Sequence, residues 1–196
     1  MSHVDKKNQI TNIIISVSLV ALSGLLVNIA NMVTILVPLK EKMIVNLGLY
    51  IVACVLGFAI LPYLFVCKVV YNGKMPKCNI SIRRTIVVAL VILIIFIIST
   101  EKYSLLHNLI IATTEELLFR YIIISVLLKC FDKKCAFTIG SLIFSLILHM
   151  NGDFFINFIT KIPASLFLYY LTDKYGIQDS IFLHWGYNSL VGYLMN

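Results

Sequence analysis

Long apolar runs, following one another with only short polar links between them, constrain this chain more than anything else in it. They fall near residues 12–37, 43–67, 85–100, 104–128, 135–150, 154–172 and 177–195. A helix needs about 20 largely apolar residues to cross a bilayer. In hydrocarbon the backbone also finds no outside partner for its N–H and C=O groups. Antiparallel helices joined by short loops satisfy both conditions. Hydrophobic residues make up 60% of the chain and the mean hydropathy is +0.97, whereas soluble domains hold roughly 45–50% apolar residues. The expectation is an all-α, polytopic bundle of about seven transmembrane helices, forming a single integral membrane domain over 1–196. No polar segment is long enough to fold separately in water, and the two halves show no repeat.

A net charge of +7 would suit nucleic acid, but the cations stand in the links between apolar runs. In that position Lys and Arg set orientation. With the N-terminus inside, the cytoplasmic segments hold Lys6, Lys7, Lys68, Lys74, Lys77, Arg83, Arg84, Lys129, Lys133, Lys134 and Lys174. The outer segments hold only Lys40, Lys42 and Lys102. This bias predicts a multi-pass protein of the cell membrane with a cytoplasmic N-terminus and no nucleic-acid partner. The basic stretch 68–84 is expected to meet anionic lipid head groups and nothing more. The first run extends to about Pro38, past the roughly 7–15 apolar residues of a signal peptide, so it reads as a retained span. Cys54, Cys67, Cys78, Cys130 and Cys135 form no C-x-x-C and no metal-ligand spacing, and read as free thiols.

One run breaks the apolar rule. Residues 104–128 contain Thr113-Thr114-Glu115-Glu116-Leu117-Leu118-Phe119-Arg120, two carboxylates and a guanidinium in a segment bound for hydrocarbon. Each such charge costs a few kcal/mol even on the mildest insertion scale. Glu116 and Arg120 stand at i,i+4 and can form a structural ion pair on one helix face, which leaves Glu115 over. Glu116 shares its face with Thr113 and Arg120, where a cation and a donor keep it ionised. Glu115 shares its face with Ile111, Leu118, Phe119 and Ile122, an apolar setting that suits a general base.

Later runs offer partners. Thr138, Ser141, Ser145 and His149 are spaced 3, 4 and 4, one polar side of a helix. Lys161, close to Pro163, reads as a side chain that snorkels outward. The last run places His184 and Asn188 at i,i+4, with Gly192 a turn further on. Asn28, Asn31 and Asn46, on the first two runs, read as amides that tie membrane helices together. Amide hydrolysis needs a base for water, donors for the oxyanion and a proton for the leaving amine. A glutamate and a histidine on facing helices can hold one water, and a histidine with an asparagine can serve the oxyanion. Glu115, His149 and His184 also match the ligand set of a catalytic zinc ion. These residues leave both chemistries open.

Glu-Glu-x-x-x-Arg on one run, a histidine late in the next, and His-x-x-x-Asn on the last resemble the CPBP family of intramembrane proteases. That family includes CAAX prenyl-protein endopeptidases and Abi-type bacteriocin-immunity proteins. The resemblance covers residues 104–195 and implies a CPBP-like catalytic core there. It implies Glu115 and His149 on the attacking water, His184 and Asn188 at the oxyanion, and Glu116 with Arg120 beside them. The implied substrate is a membrane protein or peptide, cleaved in bacteriocin self-immunity or protein processing, with metal-dependent and glutamate-only accounts both attached to the family. One departure stands out: the family pattern resembles Phe-x-x-x-His, yet Ser145 lies four before His149 and Phe144 lies five before it. On a regular helix this turns the aromatic to another face. The run boundaries also set Glu115, His149 and His184 at three different depths. The rival readings are a non-catalytic immunity or interaction protein of the same fold and an ion-coupled transporter. The missing repeats and the absence of Gly/Pro-broken helix pairs count against a transporter.

Overall fold

A computed structural model of the protein describes residues 6–36, 42–148 and 154–195. Seven helices run through them: α1 Lys6–Leu36, α2 over 42–70, α3 Ile82–Ile98, α4 over 102–127, α5 over 133–148, α6 Phe154–Tyr175 and α7 Ile177–Met195. No strand occurs among the described residues. The helices follow the apolar runs to within a few residues, because each run supplies its own backbone partners only when helical. Two stretches, Lys6–Val33 and Val45–Val70, are long and apolar enough to cross a membrane by length and composition.

The second half of α4 is the axis of the bundle. Leu118, Phe119, Ile122, Ile123, Val126 and Leu127 are buried there against Leu19 and Val20 of α1, Phe58 and Val66 of α2, Ile143 and Phe144 of α5, and Tyr169 of α6. The first half of α4 lies along α7, where Trp185 donates from its indole nitrogen to Leu105 O at 3.0 Å. Phe96 of α3 stacks on the same indole with ring centroids 6.3 Å apart. α3 itself buries no residue fully and shows apolar side chains such as Ile86, Leu90 and Ile97 to the surroundings.

Four stretches widen from the α-helical to the π-type turn, in which N–H groups reach back five residues rather than four. They cover Val55–Ile60, Val66–Val70, Leu118–Ile123 and Phe144–Leu148. Two of these lie directly after the paired glutamates and directly before His149. Turns of this kind gather at functional positions, since each re-aims the side chains that follow it.

Of the expected helix ties, Asn28 and Asn31 are exposed and Asn46 is partly buried. Asn12, which the sequence did not single out, is buried, and its Nδ2 donates to Val126 O at 3.0 Å, tying α1 to α4. The basic stretch also does more than face head groups. Asn79 donates to Thr172 O at 2.8 Å and accepts from Ile177 N at 2.9 Å. It thereby satisfies backbone groups left open where α6 ends and α7 begins. The link between those two helices is the single residue Gly176, at φ +110°, a conformation that glycine adopts without strain.

Candidate active site

The site forms where α4 meets α7. Glu115 and Glu116 lie one turn before the wide segment of α4, and both are buried. Arg120 follows at i,i+4, and its Nε lies 3.1 Å from Glu116 Oε2 with both side chains fully enclosed. Glu116 Oε1 faces His184 Nδ1 at 2.9 Å. The same ring turns its other nitrogen, Nε2, toward Glu115 Oε2 at 3.7 Å. One carboxylate thus links a guanidinium on its own helix to an imidazole 68 residues further along. A carboxylate on Nδ1 fixes both the tautomer and the plane of the ring, leaving Nε2 for chemistry.

Arg120 is held from the far side by aromatic faces. Its guanidinium carbon stands 4.3 Å from the Tyr169 ring centroid, 5.2 Å from Phe144 and 5.9 Å from Phe119. Such faces attract a cation, more strongly when water is excluded. Tyr169 is pinned in turn: its hydroxyl donates to Phe119 O at 3.2 Å, and it packs across Gly140 so closely that a Cβ there would run into the phenol.

Several sequence-based expectations change here. Phe144 packs edge-on against Phe119 at 5.0 Å and against the His184 ring at 6.1 Å. Its relation to His149, on which the sequence-based expectation turned, lies outside the described residues. The polar stripe of α5 is incomplete, since Ser141 and Ser145 are buried but Thr138 is exposed. Glu115 and His184 stand at one level, not at different depths, because α4 and α7 cross there. Asn188 sits one turn beyond His184 and is partly buried. His149 lies outside the described residues.

Further neighbours of Glu115 come from α2 and α6. The Tyr50 hydroxyl and the Cys54 thiol lie side by side within electrostatic reach of Glu115, and the Tyr50 ring stacks on His107 at 4.0 Å. Lys161, read above as a snorkelling side chain, is partly buried and within the same reach of Glu115. Nothing in the composition of α2 marks Tyr50 and Cys54 as neighbours of the carboxylate, because only tertiary packing brings them there.

A metal needs at least three converging ligands. Among the described residues no three of His, Cys, Asp and Glu are arranged to hold an ion. Glu115 and His184 approach one another, whereas Glu116 is engaged by Arg120 and by His184 Nδ1.

Comparison with known proteins gives one result. The family model described as Rce1-like, type II CAAX prenyl endopeptidase, matches residues 84–190. No curated protein and no solved structure matches the chain. The matched region runs from the start of α3 nearly to the end of α7 and so holds both glutamates, Arg120, His184 and Asn188. It spans more than half of the 196 residues, and a CAAX-type protease family is what the spacing of those residues resembles. The chain is a membrane protein that belongs to the Rce1-like family of type II CAAX prenyl endopeptidases.

Proposed function

We propose that the protein is an intramembrane endopeptidase of the CAAX type, hydrolysing a peptide bond in a membrane-associated protein or peptide with a water activated by Glu115. The observation that carries this reading is the 3.7 Å approach of Glu115 Oε2 to His184 Nε2, both buried, with Glu116 and Arg120 fixing the ring from behind. That separation is long for a direct hydrogen bond and suits two groups that share a bridging water.

Glu115 takes a proton from that water as the oxygen attacks the carbonyl carbon of the scissile bond. The carbonyl π electrons move to oxygen, where the Asn188 amide and, in its protonated form, the Nε2–H of His184 are suitable donors. Collapse of the tetrahedral species breaks the C–N bond, and Glu115 returns the proton to the leaving amine. His149 is assigned as the second holder of the water. Glu116 and Arg120 position His184 and do not touch the substrate. A zinc ion held by Glu115, His149 and His184 would supply a more acidic water; the roles of Glu116, Arg120 and Asn188 are the same in either account.

In this reading residues 104–195 are the catalytic core of a single domain of about seven spans, with the N-terminus in the cytoplasm. The physiological setting is protein processing or bacteriocin self-immunity. The alternative is a non-catalytic immunity or interaction protein that keeps the same architecture. The deciding experiment uses the full-length protein in vesicles with quenched fluorescent peptides, prenylated and unprenylated, with and without a chelator. Glu115→Gln keeps shape and hydrogen bonding but removes the base, so turnover should fall about 10²–10⁴-fold at unchanged thermal stability. Absence of turnover in the parent protein would make it a scaffold, and full turnover in Glu115→Gln would remove Glu115 as the base.

A further inference from the structure

The strongest unassigned feature lies beneath the site, on the face that carries the loops following α2 and α4. A cavity of about 300 Å³ opens there, within the size range of ligand pockets. Lys77, Lys129 and Lys133 line it together with Arg120, against the single carboxylate of Asp173. Asp173 is already paired with Lys133 at 2.6 Å, and Lys129 Nζ donates to Val70 O at 2.6 Å. Arg120 closes the inner wall, its side chain fully enclosed between Glu116 and the aromatic faces. Lys77 is exposed, and the Lys129 ammonium keeps two further N–H donors beyond its bond to Val70 O.

A second, apolar groove of about 220 Å³ lies between α2 and α4. Ala59, Tyr63 and Leu64 of α2 form one wall, and Leu117 and Ile122 of α4 form the other. Tyr121 belongs to both spaces, and its hydroxyl, donating to Pro76 O at 2.9 Å, marks the junction between them. Cationic pocket and apolar groove meet as the two ends of one amphiphile would.

The geometry points to a binding site for an anionic phospholipid, its phosphate seated between Lys77 and Lys129 and one acyl chain laid along the groove between α2 and α4. Basic pockets between membrane helices are a known physical basis for recognising anionic head groups. Charge complementarity excludes a zwitterionic lipid as an equal occupant, and the groove excludes a bare phosphate. The inference does not depend on the proteolytic reading.

The test uses full-length protein in detergent, titrated with short-chain phosphatidylglycerol, short-chain phosphatidylcholine and glycerol phosphate, with binding read by native mass spectrometry. Phosphatidylglycerol should bind at least about 10-fold more tightly than phosphatidylcholine. Removing a lysine at a membrane surface weakens an anionic lipid about 5-fold, so Lys77→Ala/Lys129→Ala should lose about 25-fold. Ala59→Trp should weaken the lipid by blocking the groove and leave glycerol phosphate unchanged. Equal binding of the two lipids overturns the inference, as does an unaffected double variant. Glycerol phosphate binding as tightly as the lipid, with Ala59→Trp silent, would assign the cavity to a soluble anion instead. Should the double variant aggregate, Lys77→Glu in the exposed loop must still weaken phosphatidylglycerol at least about 5-fold, and failure to do so is equally decisive.

Discussion

Arg120→Ala tests the central electrostatic argument. The guanidinium and the Glu116 carboxylate touch at 3.1 Å with neither side chain exposed, so removing one strands the other. Breaking a buried pair from one side typically costs about 3–5 kcal/mol, because the remaining charge stays desolvated. His184 Nδ1 still faces Glu116 at 2.9 Å, which offsets part of that loss. The three aromatic faces lose a cation worth about 0.5–2 kcal/mol, and the side chain leaves a void between them. The sum falls at about 3–5 kcal/mol. For a chain of this length each kcal/mol lowers the melting temperature by about 2–4 °C, so thermal unfolding in detergent should drop by about 6–20 °C. Arg120→Lys should recover only part of this, since an ammonium lacks the planar fork. The double variant with Glu116→Gln should cost less than the sum of the single variants by at least about 1 kcal/mol, the signature of direct coupling. An Arg120→Ala protein melting within about 2 °C of the parent, or strictly additive singles, would refute the argument, because a coupled buried pair cannot behave so.

Gly140→Ala should destabilise by about 1–3 kcal/mol through overpacking, since the new methyl meets the Tyr169 phenol, and the same melting assay reads it. His149→Ala should reduce turnover at least as much as loss of the base, about 10²-fold or more, measured at matched membrane abundance. Asn188→Ala should be milder, at about 10²–10³-fold for one oxyanion donor, with the loss in kcat more than in KM. Reporter fusions after Lys77 and Lys134 should both read cytoplasm, and either one reading outside would overturn the orientation assigned from the Lys/Arg bias.

Hydropathy made the helices legible because each apolar run can satisfy its backbone only within itself. The Glu116–Arg120 contact was legible too, since both partners lie on one helix at a spacing that fixes their proximity. The bond from Glu116 to His184 was not, because nothing local says which carboxylate meets which ring across two helices. The periodic reading of α5 holds only as far as Phe144 for a different reason: helical wheels assume one turn size, and α5 widens from that residue on. Asn12 outranks Asn28 as a helix tie although both are amides in apolar runs, and only the packing of α1 on α4 separates them. Tyr50 and Cys54 reach the neighbourhood of Glu115 from a helix whose sequence carries no recognisable pattern.

The pairing of Glu116 with Arg120 also bears on how the chain enters the bilayer. In the proposed seven-span reading α4 is made well before α7, so its charges would meet hydrocarbon while His184, 68 residues further on than Glu116, does not yet exist on the growing chain. Each unneutralised charge at mid-membrane would then oppose insertion by about 2.5–3.5 kcal/mol. An i,i+4 partner is available as soon as the helix forms and needs no other segment. In that reading the arginine would serve as an internal counter-ion during biogenesis, carrying a carboxylate into the membrane before the ring it will orient has been synthesised.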